Sequence, residues 1–348
     1  MFAYIGTYSR NGSAGIYRIE FENGQARIVG ETNAINPSWL TTDGRRLYSV
    51  RETEQGAVEA FAIKPNGSLE RINEQPSGGS LPCHLALRGG KLYAANWGSG
   101  SFGIFNLREF DGALEPGDFI SYVEINGAQP HAHQCAFTPD GEWLAVSDMG
   151  TDRIVFYPLE SSALSPAPLK ECGCDRCPHD TAPNNSPITG LTVNVPRGTG
   201  PRHMAFADDG AWYVVGENSC EVLVYQGYGS DASLIEQKPC AKRMGLATNY
   251  ASSMRLSPDG GYALCAVRGE NTLALFKRAP NGTLANTEIF DIPGDWPRDV
   301  VFTPDGRYIL VACERSDEII IYSAAEGKPA LRQISRLAIP APACISFI

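Results

Sequence analysis

Several side chains in this sequence could bind an anion or move a proton: His131, His133, Arg202, Glu217, Arg268, Arg298, Glu52, Glu314 and Trp97. Arginine offers a planar fork for carboxylate or phosphate and stays charged at any working pH. Histidine and glutamate exchange protons near neutrality when their surroundings adjust them. Brought together, such groups would suit an anionic substrate whose reaction needs proton transfer. His131 and His133 stand two residues apart, so in a regular strand they would share a face, whereas His203 would turn away from Arg202 towards the neighbouring sheet and serve packing.

The elements that must bring these residues together are legible as a repeat. NPSWLTTDGRRLYSVRE, LPCHLALRGGKLYAANW, QPHAHQCAFTPDGEWLAVSDM, GPRHMAFADDGAWYVVGE, YASSMRLSPDGGYALCAVRG and WPRDVVFTPDGRYILVACE each read as an apolar strand, a tight turn and a second apolar strand. In the P-D-G turns proline presets φ, aspartate bonds the local backbone and glycine takes left-handed geometry. A third alternating stretch follows each pair (GAVEAFAI, SFGIFNL, RIVFYPL, EVLVYQG, TLALFKR, EIIIYSA), then a further turn and strand. The repeats start near Pro37, Pro82, Pro130, Pro201, Ala251 and Pro297, with one long step after Pro130.

A seventh start at Pro342 runs out at PAPACISFI, while FAYIGTY, GIYRIEF and ARIVGET stand unclaimed at the other end. Pairing the last strand with the first closes a ring and removes the unpaired edges. The prediction is an all-β, seven-bladed β-propeller of four-stranded antiparallel blades, one domain over 1–348 with essentially no helix. The long step holds a Cys/Pro-rich surface insertion at about 161–190. In a propeller the start of each first strand and the end of each second strand meet at one mouth of the channel. First-strand starts supply His131, His133, Arg202, His203, Ser252, Ser253, Arg298 and Asp299; second-strand ends supply Glu52, Trp97, Glu217, Arg268 and Glu314. The competing reading of each Arg or Glu is a structural salt bridge.

Composition restricts partners. A net charge of −10 and a pI near 5.1 argue against a nucleic-acid surface, because phosphate backbones are held by Lys and Arg. No segment has the run of apolar residues that crosses a bilayer, and no signal peptide is evident, so a cytoplasmic protein without membrane partners is expected. Cys135, Cys220, Cys265, Cys313 and Cys344 sit in strand-like apolar runs and read as free buried thiols. Cys172, Cys174, Cys177 and His179 are zinc-compatible types but crowd one short stretch, whereas structural zinc sites join separated pairs. No metal or other cofactor is expected, and the sequence fixes no oligomeric state.

YIGTYS, PHAHQCAFTPDG, GTGPRHMAF followed by VVGEN, SPDGGYALCAVRG and WPRDVVFTPDGRYILVA together resemble the lactonase family of seven-bladed propellers. That family includes cycloisomerase-like 6-phosphogluconolactonases and 3-carboxy-cis,cis-muconate lactonizing enzymes. The resemblance implies a site of His133, Arg202, Glu217 and Arg268. It departs at Gly216-Glu217-Asn218, where the family has Asn-Glu-Leu. It also implies hydrolysis of a small anionic sugar lactone, 6-phosphogluconolactone above all, with His133 or Glu217 as general base. Arg202 would face the oxyanion, Arg268 with Arg298 would hold the phosphate, and His131 would shape or touch the substrate. Formation of a lactone from a carboxylated diene acid would use the same groups. A noncatalytic scaffold predicts a bland channel mouth, and a calcium-type lactonase would call on Asn96, Asp148 and Glu217.

Overall fold

A computed structural model describes residues 1–159, 190–324 and 331–348. Seven four-stranded antiparallel sheets are formed; six use consecutive strands in order and the seventh sets the last strand beside the first three. Blade I spans residues 40–76, II 82–121, III 132–194, IV 201–239, V 250–291 and VI 297–338; blade VII joins Pro342–Phe347 to the strands Phe2–Thr7, Gly15–Glu22 and Gln25–Asn33. Apart from one 3-10 turn at Gly229–Asp231, the described residues hold no helix. The anticipated Cys/Pro-rich insertion, with Cys172, Cys174, Cys177 and His179, lies outside the described residues.

The turn chemistry works as the sequence implies. Asp305 Oδ1 accepts the Thr303 hydroxyl at 2.6 Å and the Arg307 N–H at 3.1 Å, while Gly306 takes φ +71°. Inner strands such as Tyr262–Arg268 are buried along nearly their whole length, because each lies between two neighbouring blades; outer strands such as Leu69–Pro76 are largely exposed. The core is accordingly a set of blade-to-blade layers. Tyr213, Val215 and Val224 of blade IV pack on Met254, Cys265 and Phe276 of blade V. Such apolar side chains contribute roughly 1.5–3 kcal/mol each when fully buried. Cys83, Cys135, Cys220, Cys240, Cys265, Cys313 and Cys344 are free and buried.

Closure is carried by the last strand. Ile5 pairs with Ile345 and Gly6 with Cys344, and the Ile345 N–H donates to the buried Asp299 carboxylate of blade VI at 3.1 Å. Gly6 is required by space: a Cβ there would meet the Pro37 carbonyl oxygen at 2.0 Å and Cys344 Sγ at 2.8 Å. No helix among the described residues is long and apolar enough to cross a membrane.

Two expectations about register are corrected. Ala132, two residues past Pro130, pairs with Asp148 just as Pro82 pairs with Asn96 and Pro201 with Gly216, so blade III starts later than its proline suggests. Strict alternation also fails in the first strands. Ladders shift between Pro82/His84, Ala132/Gln134, Pro201/Met204, Ala251/Met254 and Pro297/Asp299, and these bulges reorient the residues within them.

Gly6→Ala is expected to destabilise the fold by about 3 kcal/mol or more, the upper range for overpacking. Urea unfolding measures this; a change below about 0.5 kcal/mol would mean the terminal strand does not hold the innermost place.

Candidate active site

In blades I to VI two consecutive residues, within the first strand or just ahead of it, reach the channel. The outer tier, nearest the mouth, contains Ser38, Cys83, His133, Arg202, Ser252 and Arg298; the inner tier contains Trp39, His84, Gln134, His203, Ser253 and Asp299. Second-strand ends add a ring held by backbone bonds. The N–H groups of Tyr8, Glu52, Trp97, Glu217 and Glu314 donate at 2.8–3.1 Å to the carbonyls of Ala341, Asn36, Leu81, Gly200 and Trp296. Those five acceptor residues all have positive φ, strained for the non-glycine members and retained where the surrounding structure fixes them.

At the mouth a cavity of about 240 Å³ is lined by Tyr8, Glu52, Cys83, Trp97, His133, Arg202, Glu217, Arg268 and Arg298. It is a small, polar site by the standards of ligand pockets. Glu217 Oε2 lies 2.8 Å from both Arg202 Nε and Arg268 Nη2. The Arg202 Nε–H is not aimed at the oxygen, so that contact is Coulombic rather than a hydrogen bond. Burial alone would raise the Glu217 pKa, but Arg268, Arg202 and Arg298 together hold it below the usual carboxylate value. Arg202 is itself lowered to about 10, by burial first and by Arg268, and remains cationic at neutral pH.

Arg298 makes a second network. Its Nη2 donates to the Tyr8 hydroxyl, which donates to Glu52 at 2.9 Å; Ser38 donates to the same carboxylate oxygen. Burial opposes charge on Arg298, yet Tyr8, Glu314, Glu52 and Glu217 leave it more firmly protonated than usual. The Tyr8 hydroxyl is pushed well up, mainly by burial. His133 moves the other way: burial, then Arg202 and Arg298, hold its pKa well below 6.5, so the imidazole is neutral at pH 7. His133 lines the cavity; its Nδ1 is enclosed and unpartnered, and its Nε2 is neither so enclosed nor bonded to a protein group.

Thus His133, Arg202, Glu217, Arg268, Arg298, Glu52 and Trp97 are assembled, and His131 and Glu314 stand one layer back. His131 stacks on Trp97 with centroids 4.3 Å apart and planes 13° from parallel, its Nδ1 2.8 Å from the Trp97 carbonyl oxygen. The bulge after Ala132 separates it from His133 despite their spacing. Glu314 lies 3.6 Å from Arg298 Nε and also pairs with Arg10. His203 does not face the neighbouring sheet; its ring is 5.4 Å from that of His133 inside the channel. Tyr8 and Cys83 escaped the sequence reading, although the repeat register held the signal. Tyr8 matches Glu52 and Glu217, and Cys83 matches His133 and Arg202. Asn96 bonds Ser77 and Ser101, and Asp148 pairs with Arg153, so neither turns to Glu217 as a calcium-type site would require.

A profile of the family described as Lactonase, 7-bladed beta-propeller matches residues 2–347. The chain belongs to this family. It is 28% identical over 366 residues to the 6-phosphogluconolactonase of Bacillus subtilis, covering 99% of this chain and 97% of that one. A Bacteroides fragilis structure provisionally designated a 6-phosphogluconolactonase superposes with TM-score 0.86 at 29% identity, over 100% of this chain and 97% of the other. The Pseudomonas aeruginosa periplasmic gluconolactonase PpgL shares the fold, with TM-score 0.85 at 24% identity over 100% and 99% of the two chains. The site common to the blades of this lactonase-family chain is therefore a ring of cations around a neutral imidazole.

His84, His133 and His203 all have pKa values held well below 6.5, by burial first and by nearby arginines. Below pH 6.5 the unfolded chain takes up protons that the folded state refuses, so stability falls as pH falls. Three such groups give a slope of up to about 4 kcal/mol per pH unit between about pH 6 and 5. Urea midpoints across this range test it, and His84→Gln with His203→Gln should flatten the slope. A flat profile in the parent protein would show that these imidazoles are protonated in the fold.

Proposed function

We propose that the protein is a lactonase that opens a sugar lactone by adding water to its ring ester, with 6-phosphogluconolactone, yielding 6-phosphogluconate, as the substrate that fits the site best. One observation carries this reading: three guanidinium groups surround a neutral imidazole in a cavity sized for a small ligand. The name of the Bacillus subtilis relative supports the same substrate.

The chemistry follows from the charges. A low-pKa Glu217 is a weak base and is held by two guanidinium groups, so its role is to keep Arg202 and Arg268 side by side. His133, neutral, lining the cavity and with no protein partner on Nε2, is the group free to act as base. Its Nε2 takes a proton from the attacking water as the water oxygen bonds to the carbonyl carbon. Arg202 faces the oxyanion that forms. The ring C–O bond then breaks, and the imidazolium returns the proton to the departing ring oxygen, which becomes a hydroxyl. Arg268 and Arg298 hold the phosphate, with Arg298 locked in place by Tyr8 and Glu52. No metal ion is needed for these steps, because the developing charge meets fixed guanidinium groups.

Lactones of this class also hydrolyse unaided, so the test is a coupled assay on freshly generated 6-phosphogluconolactone with the buffer rate subtracted. Arg202→Ala should lower kcat/KM about 100-fold or more, and Glu217→Gln at least about tenfold. Between pH 6 and 8 kcat/KM should stay flat, since His133 has already lost its proton there. Wild-type hydrolysis no faster than buffer, or both variants equal to wild type, would sink the assignment.

A further inference from the structure

Behind the cavity three of the chain's five histidines meet, one each from blades II, III and IV. The His203 ring lies 5.4 Å from His133 and 5.7 Å from His84, edge to face with both. His84 and His133 are 5% exposed and His203 1%. In all three, Nδ1 is enclosed and bonds no protein atom. An unsatisfied buried nitrogen costs roughly 1–3 kcal/mol, so three on rings this close call for a shared polar partner.

Proton positions follow from the neighbours. Arg202 Nη1 lies 3.3 Å from His203 Nε2. A guanidinium has no lone pair to offer, so His203 Nε2 accepts and its proton sits on the enclosed Nδ1. On His133 the reverse edge decides. Arg202, Arg298 and Arg268 are its cationic neighbours, and they favour a lone pair over an N–H on the cavity side, which puts the proton on Nδ1. One water that accepts from the Nδ1–H groups of His203 and His133 uses both its lone pairs. It keeps a hydrogen for the Nδ1 of His84, giving three bonds, the usual number for a buried water.

Trp39 backs the rings of His84 and His203, at 4.2 Å and 5.2 Å. Arg255 lies over Trp39 at 5.4 Å and pairs with Asp299 at 3.0 Å.

We propose that His84, His133 and His203 enclose one structural water, and that through it His203 is a positioning residue that fixes His133 in the Nδ1–H form with its Nε2 lone pair towards the substrate. The catalytic half of this proposal rests on the lactonase reading; the water and the tautomers do not.

Imidazole ¹⁵N NMR on histidine-labelled protein tests it, with signals assigned by single substitutions. In the wild type both His203 and His133 should carry their proton on Nδ1. His203→Leu, confirmed folded by its melting curve, should move His133 towards the Nε2–H form and lower kcat roughly tenfold with KM nearly unchanged. His203→Gln should keep kcat within about threefold, because an amide can accept from Arg202 and donate to the water. The fold already accommodates glutamine at the equivalent place, Gln134 of blade III. If His203→Leu does not fold, His84→Leu removes the third partner and should broaden or shift the same His133 signal. A wild-type His133 protonated on Nε2, an unchanged tautomer in the leucine variants, or equal kcat losses in His203→Leu and His203→Gln would each overturn the proposal. Tautomers are read without turnover, so a wild type that hydrolyses no lactone would sink the function while the NMR still decides the water.

Discussion

The paired tiers of the channel depend on a break in the backbone ladder at the head of the first strand in blades II to VI. In a regular strand consecutive side chains face opposite ways, and each blade could send only one of two neighbours into the channel. The bulges in blades II to VI let both Arg202 and His203, and both Cys83 and His84, contribute to it. The channel therefore has two tiers, an outer one that lines the cavity and an inner one of imidazoles, Trp39 and Asp299. Without the bulge, Arg202 would lack the neighbour that His203 now provides.

The electrostatics follow from stacking like charges in that geometry. Arg202, Arg268 and Arg298 repel one another, and burial raises the energy of each. Glu217 between the first two and Tyr8–Glu52 beside the third offset the repulsion without cancelling the field. That field lowers the Glu217 pKa against the effect of burial, and it adds to burial, the larger cause, in lowering that of His133. Burial thus acts in opposite senses on the two groups while the arginines act in the same sense, leaving a charged carboxylate tied to guanidinium groups beside a neutral imidazole.

The propeller was legible because its evidence is local. P-D-G turns need φ values that only certain residues supply, and a seventh start completed by the N-terminus has no other tidy explanation. The arginine and glutamate ring was legible too, since strand ends hold position in a repeat. Pro130 misled the register of blade III, because proline there lies two residues ahead of the strand. His131 was placed beside His133 by alternation, which the bulge cancels. Tyr8 and Cys83 stood at the right repeat positions, but a tyrosine in the split blade and a thiol are not conspicuous as chemistry. The surroundings of His133 come from chain positions far apart, Arg202, Arg268 and Arg298 among them, and no local pattern encodes them.

A site of this kind also needs a rigid frame, because three guanidinium groups left free would swing apart and surround themselves with water. The frame is the set of left-handed residues at the blade junctions. Leu81, Trp296 and Ala341 hold φ of 51°, 63° and 42°, conformations that cost of order 1–3 kcal/mol each for such residues. In return their carbonyls fix the N–H groups of Trp97, Glu314 and Tyr8. The strain is sustained because each junction is wedged between two blades and the ring has no free end at which to relax. Closure by the terminal strand and precision at the mouth are thus one constraint: opening the ring anywhere would release the junctions that aim the side chains.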